Sequence, residues 1–180
     1  VGPGLEADTE MGPLVNEVQL KRVLEYIEIG KKEGAKLETG GDQPKGEKYC
    51  KGFYINPTIF TGVKQDMRIV QEEIFGPVVV VQKFKTEEEA IEMANGTDFG
   101  LAGAVFSNEI TRAYKVIKKL KAGITWVKAY HNTYNACPWG GYKQSGWGRE
   151  LGTFGLETYT EVKQINVNLD PAPVGWFEKK

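Results

Sequence analysis

A chain of 180 residues, 41% of them hydrophobic, can bury one sizeable core and fits a single domain or a large piece of one. With 23 basic residues against 24 acidic ones the net charge is −1, which leaves no field to draw the chain to nucleic acid or to an anionic membrane. One histidine and two well-separated cysteines, Cys50 and Cys137, cannot supply a four-ligand N/S zinc site, and no run approaches the roughly 18 apolar residues of a membrane span. The opening VGPGLEADTE has neither the basic nor the apolar region of a leader. A cytoplasmic, reducing setting is therefore expected. Val1 in place of an initiator methionine, and a first element only near residue 17, lead us to expect a fragment or processed chain.

In chain order, Asn16 and Gln19 have the spacing of a capping box, and Leu20, Val23, Leu24 and Ile27 recur at i, i+3, i+4 and i+7. A one-faced helix should run from there to a stop at Gly34. Residues 38 to 52 are rich in Gly, Lys and Glu around Pro44 and read as a solvated loop. The apolar run Phe53 to Phe60 reads as a strand, at an edge or irregular because of Pro57. Four consecutive valines from Val78, leading to Phe84, form the continuous apolar run of a strand buried on both faces. Thr86 and Glu89 make a second capping box, Ala90, Ile91 and Ala94 supply an apolar face, and Gly96 ends it. Leu101 to Phe106 reads as strand, Ala113, Val116, Ile117 and Leu120 as helix closed by Gly123, and Ile124 to Val127 as strand. This β-α-β-α-β order implies right-handed crossovers and a parallel sheet, so the expected fold class is α/β.

Residues 128 to 148 lack periodicity and set Tyr130, His131, Tyr134, Trp139, Tyr142 and Trp147 among glycines. A long aromatic loop beyond a strand end is a natural place for a site. Within it Cys137 and His131 could act as nucleophile and base, but no third orienting group is apparent and a structural thiol is the simpler reading. Gly146, Gly148 and Gly152 miss the dinucleotide-binding spacing by one residue and read as turn glycines. Ser145 is no nucleophile elbow, since Lys143 stands where the first glycine belongs, and Lys115 to Lys121 read as the solvated face of a helix. Ile165, Val167 and Leu169 then alternate with polar residues before a Pro-containing tail with Trp176, Phe177 and two lysines, which reads as an exposed strand seeking a partner sheet.

Three segments together resemble the aldehyde dehydrogenase family: EEIFGP at Glu72 to Pro77, PWGGYKQSGWG at Pro138 to Gly148 continuing into Arg149, Glu150 and Leu151, and YTEVK at Tyr159 to Lys163. TEMGPLV, YINPTIF and FGLAGAVFS resemble it more weakly in between. The resemblance covers nearly the whole chain and matches the family's C-terminal portion, beyond the segment that carries the catalytic cysteine. It implies the C-terminal part of the catalytic domain over residues 1–158, and an oligomerisation strand and tail over 159–180 that would build a homodimer or tetramer.

The resemblance also implies residue roles. Glu73 would accept hydrogen bonds from the nicotinamide ribose and Phe75 would pack near the nicotinamide, which suits a carboxylate and an aromatic face. Glu150 resembles a charge-relay glutamate. The backbone carbonyls of Lys143 and Gly146 resemble a potassium site of betaine aldehyde members. Trp139 before the paired glycines resembles betaine aldehyde and aminoaldehyde members, and an indole face suits a quaternary ammonium group. Lys128 and His131 depart from the Asn and Asp of some relatives. The implied function is oxidation of a small aldehyde, betaine aldehyde in particular, to the acid with NAD, NADP being the other possibility. The nucleophilic cysteine and general base would lie outside these residues, so the segment alone is expected to be inactive. Two alternatives stand beside it: a general aldehyde dehydrogenase, and a non-catalytic assembly module.

Overall fold

The computed structural model describes residues 1–169. Its first element is α1 (Glu17–Lys32), opened by the Asn16 side chain, which accepts the Gln19 backbone N–H at 2.9 Å. Leu20, Val23, Tyr26, Ile27 and Gly30 form its buried stripe. The helix closes as expected at Gly34, whose φ of 90° lets the Ala35 N–H reach the Gly30 carbonyl at 2.9 Å and its own N–H reach Lys31 at 3.1 Å.

The reversal at Gly34 delivers the chain into β1 (Lys36–Thr39), which pairs antiparallel with β2 (Thr58–Thr61). The solvated loop expected from residue 38 thus begins as a strand. Four largely polar residues carry too little alternation to announce one, and long-range pairing makes it. The rest of that loop holds a single 3-10 turn at Glu47–Tyr49.

The expectation for Phe53 to Phe60 is also corrected, because β2 starts only at Thr58 and is the central strand of a three-stranded sheet. Pro57 lies just before the ladder, where its missing N–H costs nothing. The other neighbour of β2 is β3 (Val78–Val80), paired parallel across a connection that holds the short helix α2 (Arg68–Gln71). Phe60, Ile69 and Ile74 meet Val23 and Ile27 of α1 in the main core, with Val78 and Val80 packed at its edge. The valine run is not buried on both faces: Val79 is 57% exposed and Val81 46%, so the strand is one-sided.

Thr86 caps α3 (Glu87–Asn95), accepting the Glu89 N–H at 3.2 Å. The expected strand 101–106 forms as β5 (Ala102–Val105), and a short strand not expected, β4 (Phe99–Gly100), precedes it. Helix α4 (Ile110–Ile117) then leads to β6 (Ile124–Val127), parallel to β5, with Ala113 and Ile117 buried beneath.

The single parallel sheet is therefore corrected to three small sheets of mixed strand direction among the described residues of an α/β chain. β1-β2-β3 is one, β5-β6 another, and β4 pairs antiparallel with β7 (Tyr142–Lys143) from the aromatic loop. Pairing with β7 is what makes a strand of Phe99 and Gly100. Beyond α5 (Gly152–Glu157), residues 160–169 form no strand, and Val162, Ile165, Val167 and Leu169 are exposed. The oligomerisation strand is thus not formed within the described part of the chain, where alternation finds no ladder to join. Trp176 and Phe177 lie outside the described residues. No described helix is long and apolar enough to cross a membrane.

Candidate functional site

The EEIFGP segment packs along the N-terminal half of α1. Glu72 and Glu73, adjacent and chemically identical, meet different fates. Glu72 is gripped by Arg68 in a two-pronged ion pair, Nε at 2.7 Å and Nη2 at 2.9 Å, and accepts the Tyr26 hydroxyl at 2.5 Å. The Arg68 bonds, then the Tyr26 bond, hold its carboxyl down at about 2. The same contact raises the Tyr26 hydroxyl above its ordinary value. Glu73 is exposed, and among the described residues no hydrogen bond or ion pair uses its carboxylate. Ile74 turns inward to the core and Phe75 outward, 72% exposed.

Phe75 has a φ of 57°, a left-handed conformation that a side chain disfavours. Its neighbour Gly76 is held so close to Val23 that a methyl group there would collide with it. Positive φ at non-glycine residues recurs at Lys128, His131, Lys143 and Leu151, all in or beside the other candidate segments. Such strain gathers where surrounding contacts over-determine the backbone.

The second segment forms a closed hairpin. Trp139 and Glu150 exchange both backbone hydrogen bonds at 2.7 Å, which sets the proposed substrate wall beside the proposed relay glutamate. Trp139 is half-buried and Glu150 exposed. Inside the hairpin Arg149 donates to the carbonyls of Gly141 and Gly148 and lies over the Tyr142 ring. The Lys143 ammonium donates to the carbonyls of Asn95 and Thr97, both at 2.8 Å, so it pins the hairpin to the end of α3. Gly146 lies close by, its N–H directed at the Lys143 carbonyl at 3.4 Å.

The aromatic loop before the hairpin is organised by Trp126, whose indole N–H donates to the Asn132 carbonyl at 2.8 Å. His131 stacks on Tyr130 with centroids 4.6 Å apart, while the Cys137 thiol is exposed. A cleft of about 580 Å³ runs between α2 and β5; Glu72 and Glu73 line one side, Gln144 and Ser145 the other. The Ser145 hydroxyl accepts the Gly100 N–H at 3.0 Å, a structural use of this side chain. Of the expected site residues only Glu73 lines this cleft, with Phe75 two residues on; Trp139 and Glu150 form a second pair, and Lys143 and Gly146 a third.

Sequence reasoning passed over the side chains that hold the first pair. The Arg68 to Glu72 spacing of i, i+4 is a usable signal on a helix, but α2 is too short to show a periodicity. Gln19, Arg22 and Tyr26 look like ordinary polar positions until the turn at 72–75 is placed against them.

Residues 1–165 match the family model described as the aldehyde dehydrogenase family, and the chain belongs to that family. It is 52% identical over 177 residues to the betaine aldehyde dehydrogenase of Bacillus subtilis (strain 168), covering 98% of this chain and 36% of that protein. It is 47% identical to aminoaldehyde dehydrogenase 2, peroxisomal, of Pisum sativum, covering 97% of this chain and 34% of the relative. Among solved structures, a betaine aldehyde dehydrogenase from Staphylococcus aureus in complex with NAD+ superposes with a TM-score of 0.95 at 48% identity, covering 99% of this chain and 35% of the other. The chain thus spans about a third of the length of these relatives. As a member of this family it has an aldehyde dehydrogenase fold of mixed α and β content.

Proposed function

We propose that this chain contributes the cofactor-facing and substrate-facing walls of an NAD-dependent betaine aldehyde dehydrogenase. On this reading residues 1–158 are the C-terminal part of the catalytic domain, and 159–180 an oligomerisation strand and tail that forms its ladder against another subunit. The working setting is the cytoplasm, and the assembly is a dimer or tetramer. The observation that supports it most is the division of labour at Glu72 and Glu73. One carboxylate is consumed by Arg68 and Tyr26, and the other is exposed and unengaged among the described residues beside an outward aromatic ring.

The donor set fits the cofactor. The Glu73 carboxylate can accept two hydroxyl hydrogen bonds from a ribose, and the Phe75 face can restrain a planar ring. NAD, when bound, supplies the acceptor for the hydride that leaves the substrate. Trp139 presents an indole to a quaternary ammonium group, which offers no hydrogen-bond donors and is held by a π face. Glu150, joined to Trp139 through the backbone, is the residue to which this reading gives the relay of a proton. The carbonyls of Lys143 and Gly146 suit potassium as hard oxygen ligands, but two are too few for a shell, and further oxygens must complete it. The nucleophile and general base are supplied by other residues than these: Cys50 lies in a charged loop, Cys137 is exposed, and His131 is stacked on Tyr130.

The test is Glu73→Gln in the intact natural protein, with NAD+ and NADP+ affinity read by fluorescence titration. Loss of a charge-assisted pair of ribose bonds should weaken binding of NAD+ by about tenfold or more. Unchanged affinity would remove Glu73 from the cofactor site.

A further inference from the structure

Three consecutive carbonyls in the EEIFGP turn each accept a hydrogen bond from a side chain of α1. Arg22 Nη2 donates to Glu73 at 2.7 Å, and Gln19 Nε2 donates to Ile74 at 3.1 Å and to Phe75 at 2.7 Å. The spacing from Asn16 marks Gln19 as a capping-box glutamine, whose side chain would reach back to the helix start. Its backbone N–H is indeed capped by Asn16, but its side-chain amide leaves the helix for residues 74 and 75. Along the same stripe of α1, Val23 touches Gly76 and Tyr26 grips Glu72, so positions 19, 22, 23 and 26 bind five consecutive residues of the turn. In the middle of that turn sits Phe75 at positive φ, a backbone state that persists only when its surroundings hold it.

We propose that Gln19 is a positioning residue for the cofactor. By capturing the carbonyls of Ile74 and Phe75 it sets the left-handed turn, which buries Ile74 and leaves the Glu73 carboxylate and the Phe75 ring outward on either side of it. Arg22, which donates to Glu73 and through Nε at 3.4 Å also to Ile74, and the Glu72–Arg68–Tyr26 cluster fix the preceding residues, but among the described residues only Gln19 hydrogen-bonds the strained Phe75. This rests on the reading of Glu73 and Phe75 given above. A glutamine that served only the fold would leave cofactor affinity alone once the protein is folded.

The experiment measures NAD+ dissociation constants in the intact protein, with Tm recorded for every variant. Gln19→Met keeps the side-chain length and removes both donors, and should raise the constant about five- to tenfold, in keeping with two hydrogen bonds of ordinary strength. Gln19→Glu, which preserves shape and replaces the donors by a carboxylate, should do at least as much and serves if the methionine variant does not fold. In a background that already carries Glu73→Gln and Phe75→Leu, Gln19→Met should change the constant by less than about twofold, because its effect passes through those two side chains. Equal losses in both backgrounds, or no loss in the natural one, would overturn the positioning role while leaving Glu73 and Phe75 as cofactor residues. If the Glu73→Gln/Phe75→Leu pair leaves NAD+ binding unchanged, the reading of the site fails and the positioning role falls with it.

Discussion

Glu72 and Glu73 share a chemistry and differ in their surroundings, and pH separates them. The folded-state value of Glu72, about 2, lies below the ordinary 4.5, so its contribution to stability is complete above pH 4.5 and is lost as pH falls through about 2. Glu72→Gln should therefore lower the denaturant midpoint at neutral pH, and the gap from the natural protein should close between pH 4.5 and about 2. A gap that persists unchanged through that range would mean that Glu72 acts by packing alone. At Trp139 the relevant quantity is a ratio. A phenyl ring has a weaker quadrupole than an indole, so Trp139→Phe in the intact protein should lower kcat/KM for betaine aldehyde relative to a neutral aldehyde of similar size by about five- to tenfold, roughly 1 kcal/mol. KM should carry most of the change, because the ammonium group is remote from the carbonyl. Equal losses on both substrates would assign Trp139 to shaping the loop and favour a general aldehyde dehydrogenase.

At the scale of elements α1 is the scaffold of the cofactor turn, and its seat on α2 is close. A methyl group added at Gly30 would lie 2.9 Å from Ile69 Cδ1 and 3.4 Å from the buried ring of Phe60. Gly30→Ala gains about 1 kcal/mol of helix propensity, but overpacking costs typically about 1–3 kcal/mol, so a net loss is expected. Chemical denaturation measures it, and Ile69→Val should recover part by clearing the contact. Additive effects of the two substitutions would show that the collision is absorbed elsewhere. The hairpin of Trp139 and Glu150 is anchored differently, through Lys143 to the end of α3 and through β7 to β4. Neither α2, β7 nor α5 was legible beforehand, because each is shorter than the window over which a period can be recognised.

At the scale of the molecule the chain builds one well-filled core around α1 and the β1-β2-β3 sheet, while β5 and β6 stand as a separate ladder. A polypeptide confined to these 180 residues should show no NAD-dependent oxidation of betaine aldehyde, since among the described residues neither cysteine thiol is hydrogen-bonded to a basic side chain. Turnover abolished by Cys137→Ala would overturn this. Val162, Ile165, Val167 and Leu169 are exposed, and exposed apolar side chains in a partly alternating row are a liability unless another subunit covers them. Removing residues 160–180 from the intact protein should shift its sedimentation to smaller species, and unchanged sedimentation would end the assembly role.

Signals that act over a few residues were decided by the sequence itself: the caps at Asn16 and Thr86, the stop at Gly34, the buried face of α1, the strand Ile124–Val127, and the motifs that identify the family. Each rests on local sterics, hydrogen bonding to near neighbours, or side-chain spacing. Only the tertiary structure decided which strands meet, that Val79 and Val81 stay uncovered among the described residues, and that Glu72 is locked while Glu73 is left free. These outcomes depend on contacts between groups about fifty residues apart, such as Gln19 with Phe75 and Tyr26 with Glu72, and no local pattern records which polar side chain will find a partner across that distance.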